Sequence, residues 1–378
     1  MGERKLSLPQ VVATMSTIPE RRATFLQVAE AILHRQSHPV DKLHVYLCRY
    51  GAADPKLPCD SRIEYHVDEG GRGPWVRYLP ANDLADDDVL ATLDDDTHYP
   101  TDYVSRGLAA LESAGPGWAV SFGGILWDPL GSPHTYMENA WRALASRAQD
   151  RDRTVAFPMG LVSFFKAKDV KGIVQLPVPG LNTNDDMIIA LGLQQRGVAI
   201  RCVARPADWI RDLPTASSPH ALYQRDVETR YRTFRELIDV LGFDPTAGEL
   251  GRYLRKPRRI LVLADTLPPL PDSEDLDLRL RELCADDVGV HVLAPVPSSL
   301  VPDVTCKINA PYEVHAVAVP EPGGRLDGLA PVRAWRNWRV DRQTRQKWAS
   351  RERLARTRLQ PTQVFRYQDR RLVPEELR

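Results

Sequence analysis

The sequence predicts an α/β protein whose mostly parallel sheet is flanked by helices. Apolar, strand-like runs alternate with helical patterns through the first half of the chain. A glycine stands at the expected helix C′ position between a later helix and strand, and acidic residues directly follow one of the apolar runs. The length of 378 residues predicts two or three domains.

The first strand is predicted at residues 11–15, an apolar run rich in β-branched side chains. The following Thr17-Ile18-Pro19-Glu20 has the form of a capping box with proline in the first turn, so a helix is expected to begin there. Apolar residues then recur at the spacing of one helix face: Phe25, Val28, Ala29, Ile32 and Leu33.

Five further strands and three further helices are predicted from the same patterns. The strands are predicted at 43–47, 62–67, 89–93 and 118–122, with a helix from 100 to 111. A helix at 185–196 and a strand at 198–203 are separated by Gly197, and residues 222–241 have the pattern of a long amphipathic helix.

A domain boundary is predicted near 245–258, where the pattern lapses. The first domain is then 1–245. Beyond the boundary, strands at 259–264 and 288–294 with a helix near 275–284 predict a small β-α-β unit within 258–325. The last segment, 331–378, is predicted to be a basic, mostly helical tail.

The charge of the chain is unevenly distributed. The 50 basic and 50 acidic residues cancel, yet 331–378 alone hold 14 Lys and Arg against 5 Asp and Glu. This tail also contains three tryptophans, so it could pack on the acidic body of the same or a neighbouring subunit, contact a membrane surface, or bind nucleic acid. We favour packing, including a possible homo-oligomer, and regard nucleic acid as the least favoured partner.

The sequence predicts a cytoplasmic protein, with peripheral association at the inner face of the membrane as the alternative. It has no apolar stretch long enough for a transmembrane helix, and its N-terminus lacks the apolar region of a signal peptide. Its five cysteines are scattered and odd in number, which favours reduced thiols over disulfides or a zinc site.

The most informative residues are Asp94, Asp95 and Asp96, directly after the predicted strand 89–93. Three adjacent carboxylates at a sheet edge repel one another unless a cation is present, and hard oxygen ligands suit Mg²⁺ or Mn²⁺. The alternative is a solvated acidic turn, since the nearby run 86–88 is also three aspartates.

Four ordered segments resemble glycosyltransferases of the GT-A fold, close to the family-2 type. They span roughly residues 9–240 and read VVATMSTIPERR, GRGPWVRYLPAND, VLATLDDDTHYP and LNTNDDMIIALGLQQRG. The resemblance implies a DxD motif at Asp94–Asp96 that binds ribose and a metal–diphosphate. Asp96 would be the principal metal ligand, Asp94 would bind the metal or nucleotide sugar, and Asp95 would contact the donor.

The resemblance also implies donor contacts before the triplet. Thr14 and Ser16 would contact the base, although ordinary turn chemistry explains them equally well. Asp68 would meet a pyrimidine edge or cap a turn. Arg77 stands where relatives usually carry a lysine, so it could pair with a phosphate or form an exposed salt bridge.

A later acidic pair would provide the catalytic base. Asp185 and Asp186 begin a predicted helix, where one acidic residue is explained by capping and the helix dipole alone. By the resemblance, Asp186 is the base and Asp185 orients it or caps the helix. His220 would be a third metal ligand or a surface residue. Trp127 and Asp128 could line an acceptor pocket, although core packing is favoured for Trp127.

The resemblance implies a metal-dependent, inverting glycosyltransferase that uses a nucleotide sugar, most plausibly a UDP-sugar, and a glycan acceptor in bacterial surface polysaccharide synthesis. The 258–325 unit resembles the opening of a Rossmann-like GT-B domain without its glycine-rich turn, which favours an accessory unit. A sugar nucleotidyltransferase and a catalytically silent scaffold module are the alternatives.

Overall fold

The computed structural model divides the chain into two compact units. One contains Met1–Trp127 and Pro133–Pro245, and the other contains Asp128–Ser132 and Thr246–Arg378. The structure describes residues 9–51, 57–68, 73–127, 140–149, 151–173, 185–214, 227–245, 247, 258–264, 280, 282, 288–297, 313–319, 342–361, 363–368 and 371–375.

The first unit is a sheet with helices on its faces. Its strands are β1 Val11–Thr17, β2 Lys42–Cys48, β3 Ile63–Asp68, β4 Val89–Leu93, β5 Thr97–His98, β6 Trp118–Ser121, β7 Gly124–Trp127, β8 Ala140–Ala143, β9 Arg153–Val155, β10 Phe157–Pro158, β11 Val162–Lys166, β12 Ala199–Cys202 and β13 Arg211–Asp212. Its helices are α1 Arg22–His34, α2 Tyr103–Ala114, α3 Ala167–Val170, α4 Asp185–Gln195 and α5 Val227–Asp239, with 3₁₀ segments at Pro19–Arg21 and Pro74–Asp83.

Eight strands form the main sheet in the order β3-β2-β1-β4-β11-β6-β12-β9. The β3, β2, β1 and β4 block is wholly parallel, and β6 is parallel to β12. The α/β class with a largely parallel sheet is therefore confirmed. Strand β11 was not predicted, and it runs antiparallel between β4 and β6 at the centre of the sheet.

Side-chain alternation along β1 builds the two faces of the core. Val11, Ala13 and Met15 pack with α1 and α2 in one cluster, whereas Val12 belongs to a second cluster that includes the apolar residues of α4. The sheet is thus packed on both faces.

Helix α1 does not begin with the expected capping box. Pro19–Arg21 is a 3₁₀ turn, α1 starts at Arg22, and no side chain caps either N-terminus. Thr17 is buried as the last residue of β1, and Glu20 instead pairs with Arg49 at 3.1 Å. The strand's continuation to Thr17 prevents that residue from serving as the cap.

The second unit contains a five-stranded sheet. Its elements are β14 Arg258–Ala264, β15 Val288–Pro297, β16 Glu313–Val319, α6 Arg342–Leu359, β17 Gln363–Gln368 and β18 Arg371–Glu375. The order is β16-β15-β14-β17-β18, with all neighbours parallel except β17 and β18.

Helix α6 accounts for most of the described residues in the basic C-terminal segment, and two strands that were not predicted, β17 and β18, follow it. Helix α6 packs Ala355 and Leu359 against the apolar residues of β14 and β15, and strands β17 and β18 extend the same sheet. The abundant arginines obscured the alternation that buries Val364.

The positions of Trp335 and Trp338 lie outside the described residues, as does the side chain of Trp348. Among the helices that the structure describes, none is both long enough and apolar enough to cross a bilayer. The described contacts of the basic segment are with its own sheet, through α6.

Candidate active site

Residues from four parts of the first unit meet at one edge of the sheet. The acidic triplet follows β4, Arg21 follows β1, Arg77 lies in the 3₁₀ segment Pro74–Asp83, and Asp185 begins α4. Strands β1 and β4 are parallel neighbours, so their carboxyl ends deliver these groups to the same place.

Tyr99 holds the turn that carries the triplet. Its hydroxyl accepts a hydrogen bond from the backbone N–H of Asp94 at 2.8 Å and donates to the carbonyl of Leu161 at 2.7 Å. The tyrosine is 3% exposed, so both backbone groups would lose their partner away from bulk water if the hydroxyl were removed. The start of the triplet is thereby tied to the loop before β11.

Arg21 neutralises the second half of the triplet. Its Nη1 lies 2.9 Å from Oδ1 of Asp95 and 3.0 Å from Oδ2 of Asp96. Burial raises the pKa of Asp95 against the opposing charge of Arg21. Burial and then the carboxylate of Asp94 raise the pKa of Asp96 to about 7, and further positive charge nearby would lower it.

Arg77 joins the triplet to the later acidic pair. Its Nη1 donates to Oδ1 of Asp94 at 2.7 Å, and its Nε lies 3.4 Å from Oδ2 of Asp185. The same guanidinium donates to the carbonyls of Pro74, Leu93 and Gly160 at 2.9, 3.2 and 3.0 Å. Burial alone would lower the pKa of Arg77, but Asp94 and Asp185 reverse that effect and raise it.

The alternative of an exposed salt bridge for Arg77 is wrong about the exposure of this residue. Arg77 forms ion pairs, but its residue is only 5% exposed. A cation can be buried this deeply because two carboxylates and three carbonyls surround its guanidinium. No described contact tests the alternative, in which Arg77 pairs with a phosphate.

The two aspartates that open α4 differ in exposure. Asp185 is buried against Arg77, and burial raises its pKa while Arg77 opposes the rise. Asp186 is half-buried, and its Oδ1 accepts a hydrogen bond from the N–H of Met187 at 3.0 Å. Of this pair, Asp186 is the carboxylate that solvent and a small-molecule hydroxyl can reach.

Gly160 lets the groups around Arg77 approach closely. A Cβ at this position would lie 3.0 Å from Oδ2 of Asp185 and 3.3 Å from the hydroxyl of Tyr78. Tyr78 is fully buried, and its hydroxyl has no hydrogen-bond partner among the described residues. Any side chain at 160 would therefore push on Asp185 or on a buried ring.

The donor set at this edge fits a divalent cation. Asp94 and Asp96 offer partly exposed carboxylate oxygens, with side chains 29% and 16% exposed, which are the hard ligands that Mg²⁺ and Mn²⁺ prefer. With every group ionised, the carboxylates of Asp94, Asp95, Asp96 and Asp185 exceed the guanidiniums of Arg21 and Arg77 by two, and the neighbouring Asp186 adds to the negative charge. The excess negative charge favours a cation at this edge.

The residues expected to contact a base lie on β1 and β3. Thr14 is fully buried within β1, paired in register with His44 and Thr92, whereas Ser16 is half-buried nearer the strand's carboxyl end. Turn chemistry explains neither residue, because both lie inside the strand. Asp68 ends β3, 4% exposed, with its Oδ2 3.8 Å from the Cys48 thiol.

Two further predicted site residues lie outside the described part of the chain, and a third, Trp127, packs in the core. His220 and Asp128 are not among the residues whose positions the structure describes. Trp127 is 5% exposed and packs on Phe234 with ring centroids 5.0 Å apart, which is the core role favoured for it.

Sequence reasoning missed Arg21, Tyr99 and Gly160. Arg21 lies in the segment TIPERR at the predicted helix start, where the local sequence does not indicate that it is a partner for carboxylates. Tyr99 follows the triplet closely in LDDDTHYP, and its proximity was the available signal. The sequence contains no signal for Gly160, because its role depends on its contact with Asp185, which is distant in the sequence.

The fold and the clustered carboxylates define an α/β protein with an acidic site at the carboxyl edge of its sheet. No protein-family model and no curated protein sequence matches the chain. Among solved structures, the chain is similar to the mannosyltransferase PcManGT from Pyrobaculum calidifontis in complex with GDP-Man and Mn²⁺, at 17% identity and a TM-score of 0.40, over 65% of this chain and 68% of that one. It is also similar to S. aureus TarS, at 10% identity and a TM-score of 0.35, over 61% and 40% of the two chains.

Proposed function

We propose that the first unit is a divalent-cation-dependent, inverting glycosyltransferase that takes a nucleotide sugar, a UDP-sugar in the first instance, and transfers its sugar to a glycan acceptor. The observation that supports this most is the contact of one buried guanidinium, that of Arg77, with both Asp94 and Asp185. A DxD-type triplet and a carboxylate pair at a helix start are thereby parts of one site.

The carboxylate Asp186 is proposed as the general base. It is half-buried, whereas Asp185 faces Arg77, so Asp186 is the member of the pair that can meet an acceptor hydroxyl. Asp186 would take the hydroxyl proton as the acceptor oxygen forms its bond to the anomeric carbon. The bond from that carbon to the diphosphate oxygen breaks on the opposite face, which inverts configuration.

The diphosphate is proposed to lie at Asp94 and Asp96. A divalent cation held by their oxygens would supply charge compensation for the nucleoside diphosphate as it leaves. Arg21 is proposed to hold Asp95 and Asp96 in place, since its Nη1 contacts both carboxylates. Ser16 and Asp68 are proposed to face the nucleoside, because each lies at or near the carboxyl end of its strand.

Arg77 is proposed as a positioning residue and not as a phosphate ligand. Its Nη1 and Nε already donate to protein oxygens at 2.7 to 3.2 Å. It would keep the spacing between the metal-binding and proton-accepting carboxylates fixed while substrates exchange. That role requires a buried, bidentate cation, which arginine provides and lysine does not.

A donor screen tests the proposal. The purified chain is incubated with Mn²⁺ and a panel of UDP-, GDP- and other nucleotide sugars, with and without oligosaccharide acceptors, and free nucleoside diphosphate is measured. Release that requires both Mn²⁺ and an acceptor supports a transferase. Release of pyrophosphate from a nucleoside triphosphate and a sugar phosphate instead would indicate a nucleotidyltransferase. Donor binding without turnover of any tested donor–acceptor pair would favour the scaffold alternative.

A further inference from the structure

A second cluster of potential metal ligands lies on the sheet, on strands β2 and β3. Side chains on these strands alternate, so Leu43, Val45 and Leu47 enter the apolar core while His44 and Tyr46 point to the other face. On the parallel edge strand β3, Glu64 pairs in register with His44, and His66 pairs with Tyr46. Two imidazoles and a carboxylate are thereby placed side by side.

The three side chains converge closely. Nδ1 of His44 and Nε2 of His66 are 2.9 Å apart, and Nε2 of His66 is 3.6 Å from a Glu64 oxygen. One ligand atom from each residue lies within 4.8 Å of the other two. The imidazole planes differ by 4°, so the two ring nitrogens face each other across a shared hydrogen bond. A cation could replace the proton between them after a small movement of the rings.

The surroundings keep this cluster available to a cation. His44 and His66 are half-buried and Glu64 is exposed, so solvent reaches the cluster. The face of His66 stacks on Tyr46, with ring centroids 4.7 Å apart, which limits the orientation of the His66 ring. The ammonium of Lys42 lies 3.6 Å from the second oxygen of Glu64 and would compete with a cation for that carboxylate. The carboxylate of Asp83 places further negative charge near His44.

We propose that His44, Glu64 and His66 form a Zn²⁺ site separate from the acidic triplet. Two imidazole nitrogens and one carboxylate are a ligand set that suits Zn²⁺, whereas Mg²⁺ and Mn²⁺ prefer oxygen ligands such as those of Asp94 and Asp96. Zn²⁺ bound there would join the edge strand β3 to β2 two residues before Asp68. The site does not depend on the proposed transferase activity.

Zinc titration of the untagged 378-residue chain tests this proposal. The chain is freed of metal with a chelator and titrated with ZnCl₂ in excess Mg²⁺ by calorimetry. The His66→Phe variant keeps a ring on Tyr46 but removes both ligand nitrogens, so the affinity of this site should fall more than about 10-fold. His34→Gln, a change at an exposed histidine outside the cluster, should bind zinc as the unmodified chain does.

Two further variants keep the test decisive. If circular dichroism shows that His66→Phe is unfolded, Glu64→Gln carries the same prediction, because the Glu64 side chain is 49% exposed and tolerates the change. Lys42→Met should strengthen zinc binding, because it removes the competing ammonium. Equal zinc affinity in the unmodified chain, His66→Phe and Glu64→Gln, or no zinc binding by the unmodified chain, overturns the proposal.

Discussion

Asp94 and Asp185 share one buried cation. Nη1 of Arg77 lies 2.7 Å from Oδ1 of Asp94, and Nε of the same guanidinium lies 3.4 Å from Oδ2 of Asp185. Asp94 follows strand β4, and Asp185 begins helix α4. The distance between the metal-binding and base halves of the proposed site is therefore set by a single side chain.

Replacing Arg77 should destabilise the first unit strongly. Arg77→Met leaves Asp185 buried without its cation, and removal of one partner of a buried ion pair costs about 3–5 kcal/mol of unfolding free energy. Arg77→Lys keeps the positive charge but not the planar guanidinium with its several donors, so it should lose less unfolding free energy than Arg77→Met. Denaturant unfolding measures both, with Arg35→Met, in the exposed pair with Glu30, expected within about 1 kcal/mol of the unmodified protein. Equal effects of Arg77→Met and Arg35→Met would contradict the role assigned to Arg77.

Tyr99 and Tyr103 form a matched pair for testing the support of the triplet. Tyr99→Phe leaves the Asp94 N–H and the Leu161 carbonyl without their partner, which should cost about 1–3 kcal/mol of stability and weaken Mn²⁺ binding. The Tyr103 hydroxyl is equally buried and has no hydrogen-bond partner among the described residues, so Tyr103→Phe should be close to neutral. Thermal unfolding in the presence and absence of Mn²⁺ distinguishes them, and equal behaviour of the two variants would count against the role of Tyr99.

Gly160→Ala should impair transfer more than folding. The added Cβ would meet Asp185 at 3.0 Å, so the acidic pair must shift, and we expect the transfer rate to fall between about 10- and 100-fold. Gly107→Ala is the contrasting variant, because its Cβ would meet the Phe164 ring at 2.3 Å in the core. That change should lower the unfolding free energy while the folded fraction keeps its activity. Normal transfer by Gly160→Ala would argue against the proposed position of Asp185.

Asp186→Asn should separate chemistry from binding. The amide cannot accept the acceptor proton, so transfer should fall by about 100- to 10,000-fold, whereas donor affinity should stay within about 2-fold because Asp186 does not contact the diphosphate in this account. Single-turnover transfer and calorimetric donor binding, measured on the same preparation, provide the two numbers. Loss of donor binding with the same variant would remove Asp186 from the role of base.

The parallel part of the fold could be predicted because its strands are short apolar runs with polar segments between them. The described strands β1, β2, β3 and β4 overlap the predicted ones closely. Strand β11 was not predicted, although Val162 and Phe164 are fully buried. Its short apolar run reveals neither its antiparallel direction nor its place between β4 and β6. Strand order depends on long-range pairing, which a local pattern does not contain.

The carboxylates of the site and Arg77 could be named from the sequence, but Arg21 and the ion pairs of Arg77 with Asp94 and Asp185 could not. Acidic residues after a strand or at a helix start have a local signature. Arg21 and Arg77 are two of many arginines, and their importance comes from burial next to carboxylates that are distant in sequence. Thr14 shows the converse, since its position in the sequence suggested a ligand contact but its side chain is enclosed by the sheet.

The most direct test of the central claim is calorimetric titration of the chain with UDP and GDP, with Mn²⁺ and with a chelator. We predict that at least one nucleotide binds only with Mn²⁺, that Asp96→Asn abolishes this binding, and that Asp87→Asn, in the exposed acidic run, leaves it unchanged. Nucleotide binding that is equally tight in chelator, or that persists undiminished in Asp96→Asn, would contradict a divalent-cation site at Asp94–Asp96.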